Sequence, residues 1–301
     1  MLIFAKNFNI VKILYQIILP VIALLGLLAC AGAPADDKII TVSIEPQKFL
    51  LEQIVGDEVQ VRCLLSDGAN PETYDPSMTH MLNLQKSLAY MRMGNIGFEA
   101  ALIDKIHESH PDLAIYNTSL GVTPITGTHS HGDHDDKSVD PHTWTSVKNA
   151  KIIARNMLEA MVEIDPDKKR TYQANYEHFA ARLDSLDNAI TAKLAPHAGE
   201  TFMVWHPSLS YFARDYGMNQ LVVGGHEQKE QSVGELRSAV DLARESGARV
   251  FFIQTDLDSR HVTAINSEIG ANDVIINPLS YQWESEITRI ADALADTTSV
   301  R

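Results

Sequence analysis

The sequence predicts an α/β protein made of two parallel-sheet lobes joined by a single long helix. Three observations predict it. Short apolar runs alternate with helical patterns from residue 39 to residue 117, as in a parallel sheet. Residues 167–194 then run without Gly or Pro and read as one helix, roughly 40 Å long at 1.5 Å per residue. The strand–helix alternation resumes over residues 201–295 without any sequence repeat, which gives a bilobed molecule with a cleft.

In the first half, residues 39–44 read as a buried strand and 47–55 as a helix stopped by Gly56-Asp57. A strand over 59–65 ends in the turn-rich stretch 66–71. A helix over 81–87, a strand over 88–93, a helix over 98–108 and a strand over 113–117 follow. Residues 126–140 hold Gly, Ser, Asp and His with almost no apolar residue, so they form an exposed loop. Helical spacing returns over 146–161, and Asp165-Pro166 punctuates it. In the second half, strands over 201–205, 221–223, 249–254 and 273–276 alternate with helices over 209–216, 233–246, 260–269 and 281–295.

The first 29 residues have the marks of an export signal. Lys6 and Lys12 open it, and an apolar run over 13–28 ends in Leu27-Leu28-Ala29-Cys30. The run is shorter than the roughly 20 apolar residues of a spanning helix. Its ending resembles a bacterial lipobox, which implies lipidation of Cys30, a tether over 30–37 and a lipoprotein exported to the cell envelope. The expected division is then a first lobe over 38–166, an interlobe helix over 167–195 and a second lobe over 196–301. Only Cys63 remains after Cys30, in an apolar run, and reads as a buried, inert thiol. The formal charge of −14 argues against a nucleic-acid partner, since phosphate binding needs clustered Lys and Arg.

Three segments carry chemistry, each at a strand end or a helix start, where α/β proteins place ligands. In Gly68-Ala-Asn-Pro-Glu-Thr-Tyr-Asp-Pro-Ser77 the prolines fix a loop that aims Glu72 and Asp75, with Ser77 as a helix cap. In Asp140-Pro-His-Thr-Trp144, His142 precedes a helix and the Asp140 carboxylate can support its ring. In Trp205-His-Pro-Ser208, His206 closes an apolar strand. Two histidines and a carboxylate suit zinc or a similar metal. The loop supplies His129, His131 and His134, three histidines in six residues, a metal-binding composition. A zinc hydrolase is disfavoured: no His-Glu-x-x-His occurs, and His107-Glu-Ser-His110 has the wrong spacing.

The order Gly-x-x-Pro-x-x-Tyr-x-Pro-Ser, Asp-Pro-His-x-Trp, then a strand-end His followed by Tyr211-Phe-Ala-Arg-x-Tyr-Gly217, resembles the ZnuA/TroA-type solute-binding family. Ser232-Val-Gly-Glu-Leu236 and Asn277-Pro-Leu279 resemble further family segments. The resemblance covers about residues 38–295. It implies two α/β lobes on a rigid helix with the metal in the cleft. It also implies delivery of Zn2+, with Mn2+ or Fe2+ as the alternative, from a monomer to an ABC permease without enzymatic turnover. Carried over by position, the ligands are Glu72, His142 and His206, with Asn277 a weak fourth. Relatives usually have histidine at Glu72 and many have aspartate at Asn277. Glu72 moves the site toward manganese or iron, whereas the His-rich loop, common in zinc-specific relatives, favours zinc. Asp75, His226, Glu227 and Asp256 are further candidates for the fourth position. Surface adhesion is the other role the resemblance admits.

Overall fold

The computed structural model describes residues 38–65, 70–71, 74–126, 139–224, 233–254 and 265–296. The chain divides into two units, Met1–Lys38 and Ile39–Arg301, and the fold lies in the second. Several expectations therefore fall outside the described residues: the export signal, Cys30, Glu72, His226, Glu227, Asp256 and the loop histidines His129, His131 and His134.

The first sheet contains β1 (Ile39–Val42), β2 (Gln60–Cys63), β3 (Ala89–Arg92) and β4 (Ala114–Asn117), all parallel, in the order β2-β1-β3-β4. All of β1 is buried, as a central parallel strand covered on both faces requires. Helices α1 (Glu45–Val55), α2 (Met78–Leu84), α3 (Gly97–Ser109) and α4 (Val147–Ile164) belong to this half. The second sheet repeats the plan with β5 (Thr201–Val204), β6 (Asn219–Val222), β7 (Val250–Gln254) and β8 (Asn272–Ile276), in the order β6-β5-β7-β8. Its helices are α6 (Ser210–Tyr216), α7 (Val233–Ser246) and α8 (Trp283–Ala295), and residues 265–269 are also helical. Between the halves runs α5 (Lys169–Leu194), 26 residues long.

One helix begins earlier than its apolar spacing suggests. The expected helix over 81–87 starts at Met78, because Ser77 and His80 close a reciprocal cap. Ser77 Oγ accepts from the His80 N–H at 3.4 Å, and His80 Nδ1 accepts from the Ser77 N–H at 3.2 Å.

The halves share one hydrophobic core. A continuous cluster includes Ile40, Tyr90, Trp144 and Phe179 with Phe202, Phe252 and Trp283, and a second cluster around Met203 and Phe251 lies in the second half. The C-terminal segment also straps back onto the first half. Phe49 of α1 meets the rings of Phe179, Tyr281 and Trp283. The Tyr281 hydroxyl donates to Glu52 at 2.6 Å, and Arg182 of α5 bonds both Glu284 and Gln53. Burying these rings adds apolar stabilisation on the order of 25 cal/mol per Å² to the contact between halves. Free hinge motion would expose that surface.

Candidate metal centre

After β4 the chain crosses the first half and enters a short antiparallel pairing, Thr126 with Val139, which brings Asp140 beside Ile125. Pro141 then turns the chain into a single 3-10 turn, Thr143–Thr145, with His142 at its N-cap. Several bonds fix this turn. Thr145 Oγ1 donates to the His142 carbonyl at 2.8 Å, and Asn149 Nδ2 to the Thr143 carbonyl at 3.0 Å. Ser146 caps α4 by accepting from the Asn149 N–H at 3.1 Å.

His142 is 4% exposed and the Asp140 beside it is fully buried. Asp140 Oδ1 accepts from the His142 backbone N–H and from Nδ1, both at 2.9 Å. An ionised carboxylate is acceptor-only, so Nδ1 carries the proton and Nε2 keeps its lone pair for a metal. One face of the ring meets Trp144, with centroids 5.2 Å apart. Trp144 is itself clamped by the second half: its Nε1 donates to the Pro278 carbonyl and its carbonyl accepts from Trp283 Nε1, both at 2.8 Å.

His206 follows β5, the strand at which the second sheet changes direction, where open α/β sheets place their ligands. Trp205 is held by its N–H to the Phe252 carbonyl at 3.0 Å and by Gly224, whose N–H donates to the Trp205 carbonyl at 3.0 Å. A Cβ at Gly224 would stand 2.4 Å from that carbonyl oxygen and 2.7 Å from the indole, so only glycine fits.

The two imidazoles meet edge to face, with Nε2 atoms 3.3 Å apart and ring centroids 5.1 Å apart. Two nitrogens bound to one zinc ion at ~2.0–2.1 Å with tetrahedral angles lie ~3.3 Å apart. The halves thus present a pair of nitrogens at the spacing of two ligands on one ion. Among the described residues, no third His, Cys, Asp or Glu completes a cage.

The other candidates separate. Asp75 is exposed and ion-paired with Lys105 at 3.0 Å, so it faces solvent. Asn277 follows β8; its Oδ1 accepts from the Leu279 N–H at 3.1 Å, and its N–H donates to Glu286. One lone pair of its amide oxygen is therefore used locally. Cys63 is a free thiol bonded to the Ser43 and Leu65 carbonyls, and burial pushes it up, with Glu45 adding to the shift. The thiol is half-buried, where the sequence suggested a fully buried one, and its raised value keeps it little ionised. Sequence reasoning gave no separate role to Tyr211 or Arg214, which bind α6 to the first half; the signal was a Tyr and an Arg one turn apart on the helix after His206.

These features define an α/β protein of two four-stranded parallel sheets on a long helix, whose halves bring two histidine nitrogens together. Comparison with known proteins agrees. The family model described as "Zinc-uptake complex component A periplasmic" (ZnuA) matches residues 40–296. A putative metal-binding protein of Chlamydia trachomatis is 28% identical over 261 residues, covering 86% of this chain and 91% of that protein. The zinc-binding lipoprotein AdcA of Streptococcus pneumoniae is 24% identical over 90% of this chain, which spans 56% of AdcA. A crystal structure of ZnuA superposes with a TM-score of 0.79 at 32% identity, covering 86% of this chain and 98% of that one. The manganese-bound FpvC of Pseudomonas aeruginosa, at 22% identity and a TM-score of 0.76, shares the fold. The chain belongs to the ZnuA family.

Proposed function

We propose that this protein captures a divalent metal ion, zinc first, and delivers it to an ABC permease. The observation that carries the reading is the 3.3 Å separation of His142 Nε2 and His206 Nε2, one from each half. Glu72 is proposed as the third ligand. Asn277 is a weak fourth donor, because one of its lone pairs is already committed. The relatives' names, zinc uptake and zinc binding, support zinc. Because the halves share one core, loading and release proceed by local movement around the cleft, without a wide hinge opening.

The protein turns nothing over: its cargo is the ion. The apolar run before Cys30 and the lipobox-like ending make it an exported lipoprotein tethered through residues 30–37. Among the described residues, no helix is long and apolar enough to cross a membrane. His129, His131 and His134, three histidines in six residues, are proposed to collect ions weakly. Manganese is the second reading, favoured by the oxygen ligand Glu72. Competitive titration of zinc against manganese tests the assignment, on protein starting at Ala31. One tight zinc site that persists when the three loop histidines are replaced by alanine supports it. Tight binding of manganese alone moves the cargo, and no tight site for either ion refutes it.

A further inference from the structure

The short pairing of Ile125 with Asp140 contains an intruder. Asp140 N–H donates to the Ile125 carbonyl at 2.8 Å, as a ladder pair should. The reciprocal bond is missing, and the Tyr211 hydroxyl occupies its place. Ile125 N–H donates to Tyr211 Oη at 3.2 Å, and Tyr211 Oη donates to the Asp140 carbonyl at 2.9 Å. Tyr211 is fully buried and comes from α6, on the other half of the molecule. Its ring is held in turn by Arg214, whose guanidinium lies 5.0 Å from the ring centroid and donates to the Thr123 carbonyl at 2.9 Å.

We infer that Tyr211 is a positioning residue for the metal site. It acts through Asp140, whose main chain it holds and whose carboxylate fixes the His142 ring. Tyr211 lies five positions after His206, so one short segment supplies both the second-half ligand and the bond that orients the first-half ligand. Approach of α6 therefore sets the direction of His142 Nε2 as well as bringing His206 to it. Without the hydroxyl, the part-buried Ile125 N–H and the Asp140 carbonyl lose their bridge, and the Asp140 main chain loses one of the bonds that hold it. The inference rests on the metal reading for its consequence, but the placement of His142 is measurable without metal.

The test compares Tyr211→Phe with Tyr216→Phe. Tyr216 lies on the same helix, and its hydroxyl donates to the Asp187 carboxylate at 3.0 Å on α5, away from the histidines. Each variant is measured for zinc affinity, apo melting temperature, the d–d absorption of the cobalt-substituted protein, and the His142 Nδ1–H resonance without metal. Tyr211→Phe should weaken zinc binding about 10-fold, alter the cobalt spectrum and speed exchange of the His142 Nδ1–H. Tyr216→Phe should lower the melting temperature about as much as Tyr211→Phe does and leave the other three unchanged. Equal zinc affinity and an unchanged Nδ1–H resonance in Tyr211→Phe would overturn the inference. If the wild type binds no metal, the proposed function fails, and the metal-free resonance still decides whether Tyr211 positions His142.

Discussion

His142 Nε2 and His206 Nε2 stand 3.3 Å apart across the junction of the two halves, the spacing of neighbouring ligands on a single ion. One nitrogen is fixed by the buried Asp140; the other is delivered by the end of β5. Each ring therefore matters only with the other present. Removing either by alanine substitution should abolish tight zinc binding, and the double variant should be little worse than either single one. Isothermal titration of the four proteins checks this, and additive losses would mean that the rings serve separate ions.

Histidine ligates as the neutral imidazole, so the metal competes with protons for the two Nε2 atoms. Zinc affinity should fall steadily from pH 7.5 to pH 5. Titrations in buffers of differing ionisation enthalpy should show protons released on binding at the lower pH. An affinity constant across that range would count against histidine ligation.

Asp140→Asn keeps an oxygen that accepts the same N–H bonds but removes the charge that supports the imidazole. Zinc affinity should drop by roughly 10–100-fold while the fold is retained. A variant matching the wild type in competition with a chromophoric chelator would show that the carboxylate serves only to shape the turn.

Glu99, 1% exposed, accepts from the N–H groups of Met93 and Gly94, both at 2.7 Å, and from the Ser43 hydroxyl. Burial raises its carboxyl above the ordinary range, against the lowering effect of those bonds. Glu99→Gln sets an amide NH2 against one of the two backbone donors and should destabilise the protein by about 1–3 kcal/mol. The native carboxyl binds its proton more tightly than the unfolded one. Its contribution is thus fully present below the ordinary carboxylate value and lost as pH rises through the native value. Urea unfolding should show the gap between wild type and variant narrowing with rising pH; a gap that widens would contradict the sign.

Gly224→Ala has no room beside Trp205. The substitution should cost about 1–3 kcal/mol through overpacking and, because Trp205 precedes His206, weaken zinc binding as well. Thermal melts with and without zinc separate the two effects: a loss of stability with unchanged affinity would mean that the strand end absorbs the strain.

The two sheets were legible because their strands are short apolar runs separated by Gly, Asp and Asn. The long helix was legible because 26 residues of α5 contain no breaker. His142 and His206 stood out through Pro141 and Pro207, which pin the chain beside each ring. Ser77 was readable as a cap, although its apolar spacing placed the helix start three residues late. The supports of the site were not readable. Tyr211 meets Asp140 across 71 residues, and Trp144 meets Pro278 across 134. No local pattern encodes such contacts. The Gly224 approach to Trp205 depends on parallel strand packing, which a single glycine in a polar turn does not announce. The shared core was likewise hidden, since two successive strand–helix patterns suggest two separate cores.

X-ray absorption at the zinc edge of the one-to-one complex tests the central claim most directly. The expected shell has two imidazole nitrogens at about 2.0 Å with one or two light oxygen ligands, and one imidazole fewer in His206→Ala. A shell of three or more imidazoles, unchanged in His206→Ala, would place the ion on other histidines and contradict a site built from His142 and His206.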